Sequence, residues 1–394
     1  MEDYSDRSCQ AGETFRRIEP YLAQAGVTRL SRLTGLDRIG IPVWNAISPN
    51  ARSIVINQGK GITDIDAKVS AAMEALERSF ACSPAIARLS SARREFEKAG
   101  ERSQTLTCLL SNGKQEPTED ETLEWVSGFD ILNNEPVWVP FDSVVLDRTC
   151  SDSRYWQSSD GLASGNTETE AILHGLLERV ERDAYVLWSV APKGFRERLC
   201  VNPRSFSDRV IDSLTTRVDE AGLQLKLFDI TSDIGIPSYS AFLAASDILQ
   251  RPKPRFHDVT VGHGTHPIPR RAVIRALTEA AQSRLTYISG ARDDVFHDTY
   301  KRPLAPEILA LFNAAARDAQ LQADPSFQSL QQLLALVINR LAARGIRSAI
   351  SVRLTGDDVP FSVVKMLVPD LENPDGLRKY RFGQRALSRS LEFS

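Results

Sequence analysis

Residues 161–183 read Gly-Leu-Ala-Ser-Gly-Asn-Thr-Glu-Thr-Glu-Ala-Ile-Leu-His-Gly-Leu-Leu-Glu-Arg-Val-Glu-Arg-Asp. Residues 160–165 carry turn-forming types and read as a loop. Thr167 followed by Glu170 reads as a capping box that starts a long helix. Ile172, Leu173, Leu176, Leu177, Val180, Ala184 and Leu187 share one broad face of it, so the helix packs into a core. Glu170, Glu178 and Glu181 fall within about a quarter of the circumference beside that face, with Arg182 at the margin.

The same signature occurs earlier, because Glu74-Ala-Leu-Glu77-Arg78 repeats as Glu178-Arg-Val-Glu181-Arg182. Glu74 and Glu77 adjoin the apolar stripe of Val69, Met73, Leu76 and Phe80. Like charges at i,i+3 repel by a few tenths of a kcal/mol in water and by more beside a core, so a half-buried pair needs a counter-charge. Taken singly, each pentapeptide is a solvated face relieved by Arg78, Arg179 and Arg182, with Glu170 as a cap. Taken together, and with Arg275 and Glu279 at i,i+4 on a third helix, they describe carboxylates around a divalent cation and arginines for phosphate oxygens. The residues alone leave both readings open.

The chain has 394 residues, 48 basic and 51 acidic, for a net charge of −3. That balance gives no electrostatic ground for nucleic acid or an anionic membrane as a partner. Hydrophobic content is 42%, without the ~18 consecutive apolar residues of a membrane span. The acidic start Met1-Glu2-Asp3 lacks the features of a secretory signal, and a cytoplasmic location is expected. Five cysteines without C-x-x-C spacing argue against structural zinc and a disulfide framework. Gly59-Lys60-Gly61 and Gly113-Lys114-Gln115 both fail the P-loop pattern. Ser164 is misplaced for a nucleophile elbow, and the five histidines contain no H-E-x-x-H. His263 and His266 lie in a Gly-rich stretch that reads as a turn.

Periodicity predicts helices over 13–25 (stopped by Gly26), 66–80, 92–99, 270–288 and 327–343. Strands are expected over 52–57, 137–145, 224–230, 239–244, 259–262, 348–354 and 362–367, with a turn at 59–63. Residues 83–123, richer in charge and Ser/Thr, read as an insertion or as a peripheral helix at 92–99. Helices and strands interleave without a linker, so a single compact mixed α/β (α+β) unit with helices packed on sheets is expected.

Six segments carry a likeness to a known family: Leu33-Thr-Gly-Leu-Asp-Arg-Ile-Gly-Ile-Pro-Val43, Gly59-Lys-Gly61 leading to Ser70-Ala-Ala-Met-Glu-Ala-Leu-Glu-Arg78, the 161–183 stretch, Gly262-His-Gly-Thr-His266, Arg275-Ala-Leu-Thr-Glu279-Ala-Ala-Gln-Ser-Arg284 and Gly383-Gln-Arg-Ala386. In these residues and their spacings the chain resembles the YcaO family. The resemblance implies ATP and Mg2+ as cofactors, an α/β fold without a P-loop, and activation of a peptide backbone amide by O-phosphorylation. It casts 1–58 as an N-terminal helix with lead-in strands and 59–394 as the ATP-binding catalytic region, together one unit.

Carried over residue by residue, the likeness makes Glu74, Glu77, Glu178 and Glu181 the magnesium side. Ser70, Asn166, Glu170, Arg182, Arg275 and Glu279 would form the ATP pocket, joined by Arg7 and Thr14 from the N-terminal segment. It assigns no catalytic acid or base. The nucleophile sets the product: a Cys, Ser or Thr side chain gives an azoline, sulfide a thioamide, an amine an amidine. Azoline-forming members typically end in Pro-x-Pro-x-Pro, whereas the last proline here is Pro374. The expectation is therefore thioamidation of a ribosomal peptide or protein with a TfuA-type partner. Azoline-forming cyclodehydratase is the alternative, and a nucleotide-binding regulatory or scaffold subunit the alternative of another class. A separate partner for substrate or sulfur delivery is expected, and a homodimer stays open.

Overall fold

The computed structural model describes residues 4, 6–321, 324–374 and 376–393. In α1 (Ala11–Leu22), Phe15, Ile18 and Leu22 recur at helical spacing and turn one face inward. A three-stranded antiparallel meander follows: β1 (Arg29–Arg32), β2 (Val43–Ile47) and β3 (Ile56–Lys60). Helix α2 (Asp64–Cys82) starts at a capping box between Thr63 and Asp66. Then come β4 (Leu89–Ala92), α3 (Arg93–Ala99), β5 (Thr122–Asp130), β6 (Glu135–Pro140), β7 (Leu162–Gly165) and the central helix α4 (Glu168–Ser189). The next part holds α5 (Lys193–Arg198), β8 (Cys200–Val201), α6 (Arg209–Glu220), β9 (Leu223–Asp229), β10 (Ser238–Ala245), β11 (Val259–Thr265) and α7 (Pro269–Ser289). Short α8 (His297–Lys301) and α9 (Pro306–Ala310) lead to α10 (Leu330–Ala343), β12 (Ile350–Arg353), β13 (Ser362–Leu367) and α11 (Gln384–Leu391).

The other two sheets run β11-β10-β9-β8 and β4-β5-β12-β13-β7, the latter with β6 on β5. All the pairings between named strands are antiparallel, so the fold is α+β within the mixed class. Core clusters lie between α1, α2 and the β5 sheet, between α6, α7 and the β9 sheet, and between α4, α10 and β13. Leu176, Leu177 and Val180 of α4 are almost wholly buried, each worth about 1.5–3 kcal/mol in removed apolar surface.

One local device recurs three times. Strands β3, β7 and β11 each pass through a short turn into a helix that folds back onto its own strand: α2, α4 and α7. Close return requires a strand residue without a side chain. A Cβ on Gly59 would lie 2.0 Å from Ala71 N, and one on Gly264 would lie 2.0 Å from Ala272 O. Glycine on the strand meets alanine on the helix.

Several boundaries differ from the sequence expectation. The strand placed at 52–57 is β3 at 56–60, because its ladder must oppose Val43–Ile47 and residues 48–55 are consumed by the connection. Gly59 and Lys60 therefore belong to a strand, not a turn. The loop at 160–165 is partly β7, which completes the ladder on β13. His263 lies in β11 and not in a turn, since β11 runs to Thr265. The 137–145 strand stops at Pro140, where a 3-10 turn takes over. Thr167 caps α4 through Glu170 N, but the capping box is incomplete because the Glu170 carboxylate is drawn to residues 7 and 8.

Candidate functional site

Helices α2, α4 and α7 bring their carboxylates to one place. On α2, Arg78 Nε donates to Glu74 Oε1 at 3.1 Å, and Glu77 lies within the field of Glu74 and Glu178. On α4, Arg182 Nη2 donates to Glu178 Oε1 at 3.2 Å, its Nε lies 3.4 Å from Asp160 Oδ1, and its Nη1 lies 3.9 Å from Glu181 Oε1. The Gly161 amide also donates to Glu178 Oε2, at 3.3 Å. On α7, Glu279 pairs with Lys60 of β3 and accepts from the His263 amide at 3.3 Å. Arg275 donates to Thr265 O at 3.2 Å.

Protein cations do not match these acids. Burial pushes the Glu77 carboxyl well above the usual range, reinforced by Glu74 and Glu178 and opposed by Arg78. Burial also raises Glu178, with Asp160 adding to it and Arg182 opposing. Glu181 is raised by burial and by Glu279. Glu279 goes the other way: burial would raise it, but Lys60 and Arg182 outweigh burial and hold it low. Three of the five carboxylates thus ionise at a cost that nearby cations do not offset. Among the described residues no three acidic, His or Cys side chains stand close enough together to hold a metal ion by themselves. The donors are hard carboxylate oxygens with charge to spare, which suits Mg2+ retaining water and phosphate ligands rather than an all-protein cage.

The N-terminal segment crosses the site. Arg7 Nη1 donates to Glu170 Oε1 at 2.7 Å and to Ser164 O at 3.2 Å, while Nη2 lies 3.1 Å from His174 Nδ1. Ser8 gives its amide and hydroxyl to Glu170 Oε2, and Asn166 Nδ2 also reaches that carboxylate. Thr14 Oγ1 donates to Asn166 Oδ1 at 2.9 Å. The neighbouring Asp6 turns to the opposite wall, accepting from His266 Nε2 at 2.7 Å and pairing with Arg271. Burial alone would raise Asp6, but His266, Arg275 and Arg271 hold it well below the ordinary carboxylate range. Two consecutive residues thus tie α4 to α7.

The residues singled out from sequence gather as three connected groups: Glu74, Glu77 and Glu178; Arg182, Glu181, Glu279 and Arg275; and Arg7, Thr14, Asn166 and Glu170. Ser70 lies half-buried one turn before Glu74, and its hydroxyl has no hydrogen bond among the described residues. Sequence reasoning gave Lys60, Asp160 and the histidines no role in the site. His174 stays neutral, its proton affinity cut by burial and by Arg7, Arg275 and Lys60. Burial holds His263 down to about 4 while Ser240 Oγ meets its Nδ1 at 2.6 Å. His174 was findable, since it sits at i,i+4 between Glu170 and Glu178 on the stripe already identified.

The sequence pattern of the family described as "YcaO cyclodehydratase", ATP- and Mg2+-binding, matches residues 58–372. An uncharacterized protein in the tfuA 3′ region of Rhizobium leguminosarum bv. trifolii is 38% identical over 98% of this chain and 94% of its own length. An uncharacterized protein of Methanothermobacter thermautotrophicus is 33% identical over 93% of this chain and 95% of its own. In shape the chain is similar to YcaO from Methanopyrus kandleri, a structure bound with AMPPCP and Mg2+ (TM-score 0.72, 24% identity, 94% of each chain). It is also similar to a heterocyclase in complex with substrate and cofactor (TM-score 0.74, 20% identity, 93% of this chain and 53% of that one). At those identities the structural likenesses speak to the fold alone.

Proposed function

The chain belongs to the YcaO family, and on that premise we propose that it uses ATP and Mg2+ to activate a peptide backbone amide by O-phosphorylation, giving a thioamide with a TfuA-type partner. The observation that carries the reading is the convergence of Glu77, Glu178 and Glu181, each raised in proton affinity and short of cations, beside the arginines of α4 and α7. Glu74, Glu77, Glu178 and Glu181 would hold magnesium, while Arg182, Arg275, Arg7 and Lys60 would face phosphate oxygens. Asn166, Glu170, Thr14 and Ser70 would fix the rest of the nucleotide.

An amide is a poor electrophile because its nitrogen donates into the carbonyl, and its oxygen is a poor leaving group. Bound Mg-ATP supplies the γ-phosphoryl group that makes this oxygen leave as phosphate, so amide, hydrosulfide and ATP give thioamide, ADP and inorganic phosphate. Sulfur bonds to the carbonyl carbon, the carbon–oxygen bond breaks, and the sulfhydryl proton ends on phosphate. Arg182 presents a planar fork already oriented by Glu178 and Asp160, which matches two phosphate oxygens better than a point charge. In a site this shielded, such fixed charges act more strongly than in water and need no reorganisation.

The relative in the tfuA 3′ region supports thioamidation and a TfuA-type partner. The family description as cyclodehydratase supports a second reading, azoline formation by a Cys, Ser or Thr side chain. Incubating a Cys-containing peptide with ATP, sulfide and partner separates the two. A gain of about 16 Da marks oxygen-to-sulfur exchange and a loss of about 18 Da marks ring closure, the two fates of an oxygen that leaves on phosphate.

A further inference from the structure

Beside the carboxylate site lies a small cavity lined by Cys108, Trp156, Ser158, Asp160, Arg179, Lys365 and mostly apolar side chains. It is narrow, with room for one water-sized species. Its charges are unusual. Arg179 is 3% exposed, Lys365 5%, and Arg378, which stands beside Cys108, 7%. None of the three has a carboxylate within ion-pair distance among the described residues. Their hydrogen bonds go to main-chain carbonyls instead. Arg179 Nη2 reaches Glu372 O at 2.8 Å, and Lys365 Nζ reaches Ser158 O at 2.5 Å and Asp160 O at 2.8 Å. Arg378 Nη2 reaches Pro374 O at 2.6 Å and Asn373 O at 3.0 Å.

Two donors in this group are left over: Arg179 Nη1 and Arg378 Nε are buried without a hydrogen-bond partner among the described residues. Buried charges are ordinarily paired, and carbonyl dipoles do not neutralise three of them. Asp160 also lines the cavity and its field reaches Arg179 and Lys365, but its oxygens bond Ser158 Oγ and face Arg182, so one carboxylate is shared among several cations. Cys108 does not supply the missing negative charge, since burial pushes its thiol up to about 11. The surplus is felt by the cations themselves. Burial, with Arg179 adding to it, brings Lys365 down to about 8 although Asp160, Glu178 and Glu77 oppose, and it holds Arg378 below its usual range against Asp160 and Glu372. Water can accept the spare N–H groups, but it brings no counter-charge.

We propose that this cavity is a binding site for a small monoanion, and that in the reaction it takes hydrosulfide; the second half rests on the thioamidation reading. A compact, polarizable monoanion fits the size, the unused Arg179 Nη1 donor and the apolar walls. Residues 158–161 would hold it next to the amide while keeping it apart from the negative charge of Glu178, which the same segment binds through Gly161 N.

The test has two arms on the full-length protein. Crystals soaked in sodium bromide are measured at the bromine edge, with an anomalous peak expected against Arg179 Nη1 and none in Lys365→Met. No peak in the wild type means the cavity holds only water and overturns the site, whether or not Lys365→Met folds. In the second arm, sulfide-dependent thioamidation is followed at fixed ionic strength. Lys365→Met is expected to raise KM for sulfide roughly tenfold or more, the value of a charge-assisted contact, with KM for ATP unchanged. Bromide is expected to compete with sulfide. Bound bromide without competition overturns the hydrosulfide assignment. Bound bromide with a dehydrated rather than thioamidated peptide overturns the thioamidation reading and leaves the anion site standing.

Discussion

Glu181 and Glu279 face the same cations, yet their proton affinities shift in opposite directions, so their neutral isosteres should change stability with opposite signs. Glu181 holds its proton more tightly when folded, because of burial and Glu279. Between the ordinary glutamate value and the raised one, the folded state binds more protons than the unfolded state, and stability falls as pH rises through that window. At pH 8 without ligand, Glu181→Gln removes the penalty. Each tenfold change in proton affinity is worth ~1.4 kcal/mol, and a side chain only 11% exposed needs little discount for solvent, so the gain is on the order of 1–3 kcal/mol. For 394 residues, at ~2.1 cal/mol/K each, this raises Tm by roughly 1–4 °C. Glu279 is held low by Lys60 and Arg182, so its contribution is present above the ordinary value and lost as pH falls through the folded one. Glu279→Gln should therefore lower Tm at pH 8.

With Mg-ATP the advantage of Glu181→Gln over wild type is offset. Ligand at a hundred times Kd stabilises wild type by ~2.7 kcal/mol, and the variant should forfeit most of that. Differential scanning fluorimetry at pH 5 and pH 8, with and without Mg-ATP, reads all of these quantities. A Glu181→Gln protein that is less stable than wild type at pH 8 without ligand would make Glu181 a structural partner of Arg182 and refute the reasoning.

Arg275→Lys keeps the charge but loses the fork, and the expected tenfold or greater fall in kcat/KM for ATP is read in a phosphate-release assay; wild-type kinetics would leave Arg275 as a tie to Thr265 and Asp6. Arg385→Met strips the wholly buried Asp183 of its bidentate partner, at a cost of about 3–5 kcal/mol in urea unfolding, far above a surface change. Removing residues 389–394 deletes the Phe393 contact with Phe195 at 4.9 Å and the Arg389 cation–π contacts, and is expected to reduce activity only modestly with ATP binding intact; loss of all turnover would point to the ring-closing mechanism, in which a base must reach the attacking side chain.

The long helices α2, α4, α7 and α10 were legible from apolar periodicity, α4 also from its start signal, whereas α5, α6, α8, α9 and α11 were not anticipated. Helices α2 and α4 appear at nearly the expected positions with their acidic stripes facing each other. Strands were harder to bound. Long-range pairing sets their ends: β3 is registered by β2 and β7 by β13, and neither partner is visible in a local window. Residues 83–123, read as an insertion, supply β4 and the start of β5. In the site, carboxylates and arginines stood out as a repeated spacing. Lys60, Asp160 and His263 did not, since each comes from a strand or loop whose approach depends on the glycine–alanine contacts. Glu170 looked like a cap because its amide is capped; only the folded chain brings Arg7 and Ser8 to its carboxylate.

The central claim is ATP-dependent activation of a peptide amide at the three-helix carboxylate site. Its most direct measurement is mass spectrometry of a Cys-containing peptide incubated with purified protein, partner, sulfide and ATP whose γ-phosphate carries no 18O, after labelling the peptide carbonyl with 18O. The account predicts a thioamide peptide, about 16 Da heavier than its unlabelled parent, and transfer of the carbonyl 18O into released phosphate, both absent in Glu77→Gln. A modified peptide with no 18O in the phosphate would contradict it.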